Sequence, residues 1–272
     1  MDHDTILDLE YHARQVRIET LKAIGHLGVG HVGGAMSIIE ILTYLYYAEM
    51  HVDPSRPRWP DRDRLVLSKG HTGPALYSIL ALKGFFPKQW LLTLNEGGTN
   101  LPSHCDRNKT PGIDMTTGSL GQGLSAAVGI ALALRWDKRS SRVYAIIGDG
   151  ESQEGQIWEA AMSAAHFKLG NLMAFTDFNK MQIDGKIEHI MQIESLEAKW
   201  SAFGWHTQRI NGHDFSAIEQ AVTTAKKVED KPSMIILDTI KGKGCTFAEG
   251  LVESHNMPVS EQQLKEALDA LG

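Results

Sequence analysis

The chain has 272 residues, 42% hydrophobic and 22% charged, a composition suited to one large α/β domain with a sizeable core, and residues 1–272 are read as a single domain. Its formal charge of -6, with Lys and Arg scattered along the sequence, gives no reason to expect nucleic acid or an anionic membrane as partner. Two cysteines, Cys105 and Cys245, cannot build a zinc framework and suit a reducing compartment; no apolar run could span a bilayer and no secretory signal is evident, so cytoplasm is the expected location.

From Thr5 to Ile24, apolar residues recur at near-helical spacing and predict a surface-packed helix. A Gly-rich stretch, residues 25–34, leads into a second predicted helix from Ala35 to Glu49. A Pro-bearing loop, residues 52–60, precedes a short strand over Asp63–Ser68. Leu120 to Trp136 is rich in Gly and Ala and uncharged before Arg135, which predicts a helix buried all round, within its own domain or against a second subunit. Further strands are predicted at 142–147, 172–176 and 232–239, and helices at 194–203, 215–228 and 259–271, the last opened by Ser260 with a capping Glu nearby. Strands alternating with helices indicate an α/β layer fold, with a central, mostly parallel sheet and helices on both faces.

Two of these strands end in chemistry-bearing residues. The first runs into Gly148-Asp149-Gly150 and the second into Asp177-Phe178-Asn179. Alone, Gly-Asp-Gly is an ordinary tight turn. Followed roughly thirty residues later by an Asn at a second strand end, it lies where a crossover helix sets the two ends side by side, so that Asp149 and Asn179 could share a hard cation that also holds a diphosphate. This spacing resembles the thiamine diphosphate signature. Four histidines, His31, His71, His104 and His255, stand in Gly-rich or turn-like contexts where an imidazole can face a crevice; taken singly, each reads more simply as a surface or core histidine.

Taken in order, these elements resemble the N-terminal part of transketolase over essentially the whole chain. The matches include Gly30-His31 with Gly33, Ser68-Lys69-Gly70-His71, Ser103-His104, the run from Thr116 to Gly123, Gly148-Asp149-Gly150 with Glu154, Asp177 to Asn179, Gly212-His213-Asp214 and Ser254-His255. The resemblance implies a thiamine diphosphate-binding fold and a set of roles. Asp149, Asn179 and the carbonyl of Met181 would bind Mg²⁺, or Ca²⁺ or Mn²⁺ in its place. The Gly150 N–H would approach the diphosphate. Gly118, Leu120, His71 and His255 would also hold the cofactor, His104 would meet the C1 hydroxyl of the two-carbon fragment, and His31 and His255 would move protons at the substrate hydroxyl. Glu154 is expected at a subunit interface. Three positions depart from the family pattern: Val32 and Cys105 stand where Pro is common, and Lys180 where Gly is usual, which would put a long cation beside the metal.

The family's activating Glu comes from a pyrimidine-binding domain that lies beyond Gly272. The resemblance therefore implies one half of a split transketolase, working with a C-terminal subunit in an α₂β₂ assembly and transferring a two-carbon ketol unit from a ketose phosphate to an aldose. Donors bearing a sulfo group or a branched sugar phosphate are alternatives. A 2-oxoacid dehydrogenase α subunit or a deoxyxylulose phosphate synthase-like role is less well matched, because the former lacks the Gly30-His31 and Ser68–His71 elements in this order and the latter is normally one continuous chain. A non-enzymatic, thiamine diphosphate-binding regulatory subunit would not need four imidazoles in a crevice.

Overall fold

The apolar runs are rich in β-branched and aromatic residues and read as strands buried on both faces, the condition a parallel sheet requires. In the computed structural model, which describes residues 1–272, they belong to a five-stranded sheet. Its strands are β1 (Arg64–Leu67), β2 (Val143–Gly148), β3 (Leu172–Phe178), β4 (His206–Asn211) and β5 (Ser233–Asp238), in the spatial order β1-β2-β3-β5-β4, all parallel. Gly148 lies opposite Asp177, and Asp177 opposite Leu237, so these strands end together at one rim. The carboxyl rim of such a sheet is where ligands bind.

Alternate side chains divide the core in two. Tyr144, Ile146, Met173, Phe175, Ile235 and Leu237 face α1 (His3–Leu27), α2 (Gly73–Leu82) and α6 (Phe215–Lys226). Val143, Ala145, Ile147, Ala174, Met234 and Ile236 face α3 (Gln122–Trp136), α4 (Gly155–His166) and α5 (Leu196–Ala202). The last helix, α7 (Glu261–Leu271), is joined to the core through Ala267. Helix ends follow local chemistry: Asp2 accepts a hydrogen bond from Thr5 N–H at 2.8 Å, and Asp214 accepts from Ser216 and Ala217 N–H. At α7 the reciprocal partner of Ser260 is Gln263, where the sequence suggested a Glu.

Two expectations change. The helix predicted over 35–49 is two short helices, Val32–Met36 and Ile39–Tyr44, followed by a wider helical turn at Leu45–Glu49. The Ser37 hydroxyl donates to Gly34 O at 3.0 Å and meets Asp177 Oδ2 at 2.7 Å, tying the break to the end of β3. Nor is α3 buried all round. Gly123, Leu124, Ala127, Ala131 and Leu134 are buried against the sheet side, while Gly129, Ala133 and Trp136 are exposed, as are Met162 and Phe167 of the α4 region. Edge strand β4 has no signal in the sequence: His-Thr-Gln-Arg-Ile-Asn is polar and half-buried, and it carries no apolar alternation. Both cysteines are free and buried, and no helix is long and apolar enough to cross a membrane.

Candidate active site

Four strand ends and two chain-distant segments converge at the carboxyl rim. Gly33 lies in the first turn of the short helix Val32–Met36, packed so closely on the loop after β5 that a Cβ there would lie 2.3 Å from Ser254 Oγ and 2.9 Å from Lys241 Cγ. That contact brings His31, near the start of the chain, beside His255, near its end. The His31 ring centroid lies 5.3 Å from His71, 5.9 Å from His104 and 5.4 Å from His255, and His71 lies 5.1 Å from His255. All four predicted histidines are therefore brought together. Burial, then the neighbouring His104 ring, pushes His31 down to about 4. Burial, then Lys241 and His31, pushes His255 down to about 4. Burial and the Lys69 ammonium hold His71 well below the ordinary imidazole range. These three rings are neutral at pH 7, able to accept protons or hydrogen bonds.

Beside the histidines lies a crevice of about 200 Å³ lined by, among others, Leu120, Asp149, Gly150, Asn179, Met181 and Lys241. Asp149 is 2% exposed; its carboxylate accepts from Gly150 N–H at 2.8 Å and from Lys180 N–H at 2.6 Å, and it has no cationic partner. Burial, reinforced by the Asp177 charge, pushes Asp149 up to about 7. Asn179 donates its amide to Asp177 Oδ2 at 2.9 Å, and its Oδ1 accepts from Met181 N–H at 3.1 Å. Gly118 lies against His104, Leu120 is partly exposed at the mouth, and Glu154 is an exposed carboxylate at the start of α4 on the same mouth.

Lys180 does not turn its charge towards Asp149. Its backbone is left-handed at φ 67°, the conformation that makes Gly usual there, and its ammonium is turned to Asp238 at 3.4 Å. Only its N–H serves Asp149.

Four further residues build the site without a role foreseen from the sequence. Lys69, 2% exposed, is ion-paired with the fully buried Asp177. Burial would raise Asp177, but Lys69 and the hydroxyls of Thr239 and Ser37 hold it below the usual carboxylate range. Glu151, 2% exposed, accepts from the Ser68 hydroxyl, from Gly121 N–H at 2.9 Å and from Gly148 N–H at 3.0 Å, binding the loop after β1, the entry to α3 and the end of β2 into one unit. Lys241 meets only the Val252 carbonyl at 3.1 Å and the Gln182 carbonyl at 3.5 Å, and burial next to Lys69 pushes it down to about 8. The crevice thus holds a buried carboxyl without a cation, Asp149, and a buried ammonium without an anion, Lys241. A divalent metal carrying a diphosphate would satisfy both.

Residues 10–272 match the family model of the transketolase thiamine diphosphate binding domain. The chain belongs to the transketolase family. It is 60% identical to the 6-deoxy-6-sulfo-D-fructose transketolase subunit SqwG of Clostridium sp. (strain MSTE9), over 97% of this chain and 96% of that one. It is 39% identical to an apulose-4-phosphate transketolase subunit of Phocaeicola vulgatus, over 96% and 92% of the two chains. Among solved structures, transketolase from Campylobacter jejuni superposes with a TM-score of 0.93 at 32% identity, covering 100% of this chain and 43% of that one. A Pichia stipitis transketolase mutant gives 0.91 at 32% identity, with 97% and 40% covered. The chain therefore spans about two-fifths of these solved transketolases, as their thiamine diphosphate-binding part, and the expected α/β fold is the one observed.

Proposed function

We propose that this transketolase-family chain is the cofactor-binding subunit of a two-chain enzyme, which moves a two-carbon ketol unit from a ketose bearing a terminal sulfonate to an aldose. The observation that carries the catalytic reading is the ring of four histidines against a crevice with complementary unpaired charges, Asp149 and Lys241. The donor reading rests on 60% identity to a relative named for 6-deoxy-6-sulfo-D-fructose. Removal of C1 and C2 from that ketose leaves a four-carbon aldose with the sulfonate on its last carbon. The subunit reading rests on near-complete coverage of two relatives named as subunits.

When bound, thiamine diphosphate supplies a thiazolium carbon for the ketose carbonyl and a sink for the electron pair released by C–C cleavage. Asp149, Asn179 and the Met181 carbonyl are the proposed holders of Mg²⁺; Gly150 N–H and Lys241 would hold the diphosphate, with His71 and His255 assisting. Gly118 and Leu120 would hold the cofactor through their backbones. His31 and His255, neutral at pH 7, take the proton from the donor hydroxyl next to the breaking bond, and His104 orients the C1 hydroxyl. The carboxylate that activates the cofactor is assigned to a partner chain, with Glu154 at the junction and α₂β₂ as the proposed stoichiometry. A donor with a terminal phosphate is the second reading, favoured by the close superposition on transketolase from Campylobacter jejuni.

The test is ketol transfer with Mg²⁺ and thiamine diphosphate, for this chain alone and mixed with a candidate partner carrying the pyrimidine-binding half. The donors are 6-deoxy-6-sulfofructose and xylulose 5-phosphate, with products identified by mass spectrometry. Turnover only in the mixture, with the higher kcat/KM for the sulfonate, is expected. Full rates from the chain alone would overturn the subunit reading, and turnover of the phosphate donor only would overturn the donor reading.

A further inference from the structure

A cleft much larger than the catalytic crevice lies elsewhere on the molecule. It measures about 720 Å³ and opens at the amino end of β1, whereas the crevice lies beyond that strand's carboxyl end, roughly 13 Å away along four residues of extended chain. Six cations line it, Arg56, Arg58, Arg62, Arg64, Arg107 and Lys109, against a single lining carboxylate, Asp114. On a chain of formal charge -6, whose cations look scattered in sequence, this is a local reversal of sign.

Part of the set is structural. Asp114 is ion-paired with Arg62 and accepts from Leu65 N–H at 2.9 Å, which fastens the 107–114 segment to β1. Arg64 donates to the carbonyls of Arg62 and Pro60, and Arg56 pairs with Asp53 at 2.7 Å while lying 4.7 Å over the Trp59 ring. The remainder is unspent. Arg58, Arg107 and Lys109 are exposed, and their side chains form no ion pair and donate no hydrogen bond. Arg62 is 8% exposed, and its Nε has no partner although the atom is buried. A buried guanidinium N–H without an acceptor is costly unless a ligand supplies one. Gathering like charges around a concave surface also costs free energy that a bound anion returns.

We propose that this cleft is a second anion site, taking a small molecule with two or more phosphate or sulfonate groups. A single oxyanion would leave most of the volume and at least two of the free cations unused. Planar guanidinium forks bind phosphate and sulfonate oxygens two at a time, and the Arg56-covered Trp59 ring offers an aromatic wall for an organic portion. The site is independent of the donor chosen by the catalytic crevice.

The test is calorimetric titration of sodium pyrophosphate, and separately of ADP, into the full chain at low ionic strength with EDTA. The same titrations are made on the triple variant Arg58→Glu/Arg107→Glu/Lys109→Glu and on Lys241→Met, a change in the catalytic crevice. One class of pyrophosphate site is expected in the unmodified chain, because EDTA withholds the divalent metal through which the catalytic crevice would hold a diphosphate. The triple variant weakens it at least tenfold with an unchanged melting curve, whereas Arg58→Lys/Arg107→Lys and Lys241→Met both retain it. Tighter binding of ADP than of pyrophosphate would identify an organic bisphosphate as the better occupant; the reverse would identify the inorganic anion. Identical titrations for the unmodified chain and the triple variant would overturn the site, as would loss of all binding in Lys241→Met. Loss of the cleft class on adding the partner chain would assign the cleft to a protein interface and overturn the small-ligand assignment.

Discussion

At the scale of single residues the crevice is governed by where charge is balanced and where it is left open. Lys69 and Asp177 balance each other in a fully buried pair. Lys69→Met strands the Asp177 carboxylate and should destabilise the chain by about 3–5 kcal/mol, measured by urea unfolding; a loss under about 1 kcal/mol would mean that water reaches Asp177. Asp149 is the opposite case, a carboxylate buried without a cation. Asp149→Asn should leave the cofactor-free melting temperature unchanged or higher while weakening thiamine diphosphate binding in Mg²⁺ at least about tenfold, by calorimetry. Equal affinity would remove Asp149 from the metal set. Asp149 and Asn179 stand out in the sequence because they follow strands with an acid and an amide. Lys241 does not, although Lys241-Gly242 follows the end of β5 in the same kind of context. A lysine near a strand end reads as solvated until the fold shows it 2% exposed.

Between elements, close approach sets the geometry. Helix α3 begins against the end of β1 so tightly that a Cβ on Gly123 would lie 2.3 Å from Ser68 Oγ and 2.6 Å from Ser68 Cα. Because one of those atoms is backbone, Gly123→Ala should cost about 1–3 kcal/mol and loosen the Ser68–Glu151 hydrogen bond. Thermal melting reads the loss, and an unchanged melting temperature would show that α3 can shift freely. Most elements are legible because their periodicity is strong: α1, α6 and the three buried central strands all fall where apolar spacing puts them. The break at Ser37 is not, since it depends on an acceptor, Asp177, 140 residues away. Nor is β4, whose polar residues are stabilised by pairing to β5 rather than by their own burial pattern.

For the whole molecule, the neutral histidines make stability depend on acid. The folded, cofactor-free chain keeps His31 and His255 unprotonated down to about pH 4, and His71 lower than its ordinary range. An unfolded chain protonates histidine near pH 6.5, so it binds more protons between about pH 6.5 and 4 and gains on the folded state as pH falls. Asp149, raised to about 7, contributes with the opposite sign, as do the buried carboxyls of Glu151 and Asp114, which burial also raises, while His206 adds to the imidazole side. Glu151 keeps three donors and Asp114 keeps Arg62 against its carboxylate, so the imidazoles set the sign. The melting temperature in EDTA should therefore drop by several degrees from pH 7 to pH 5, and more steeply in Asp149→Asn; a flat profile would mean that the rings are already protonated or open to solvent. The layer order and the catalytic rim are readable at this scale from alternating strands and helices. The strand order and the gathering of cations at the amino end are not, because both depend on which segments fold next to each other.

One loop reaches both ends of the sheet. Its neck is closed by Thr117 N–H to Cys105 O at 3.1 Å, and the Thr117 hydroxyl is tied to Leu67 O at 2.7 Å; His104 sits just outside that neck, in ring contact with His31, while Arg107 to Gly112 form the tip in the basic cleft. A fixed neck divides the loop into parts that can change separately over evolutionary time. Residues gained, lost or exchanged at the tip would alter what the far cleft recognises without moving His104, whereas one residue inserted at Cys105 would slide the imidazole out of register. The same short stretch of chain therefore gives one end of the molecule freedom to diverge and the other a reason to stay as it is.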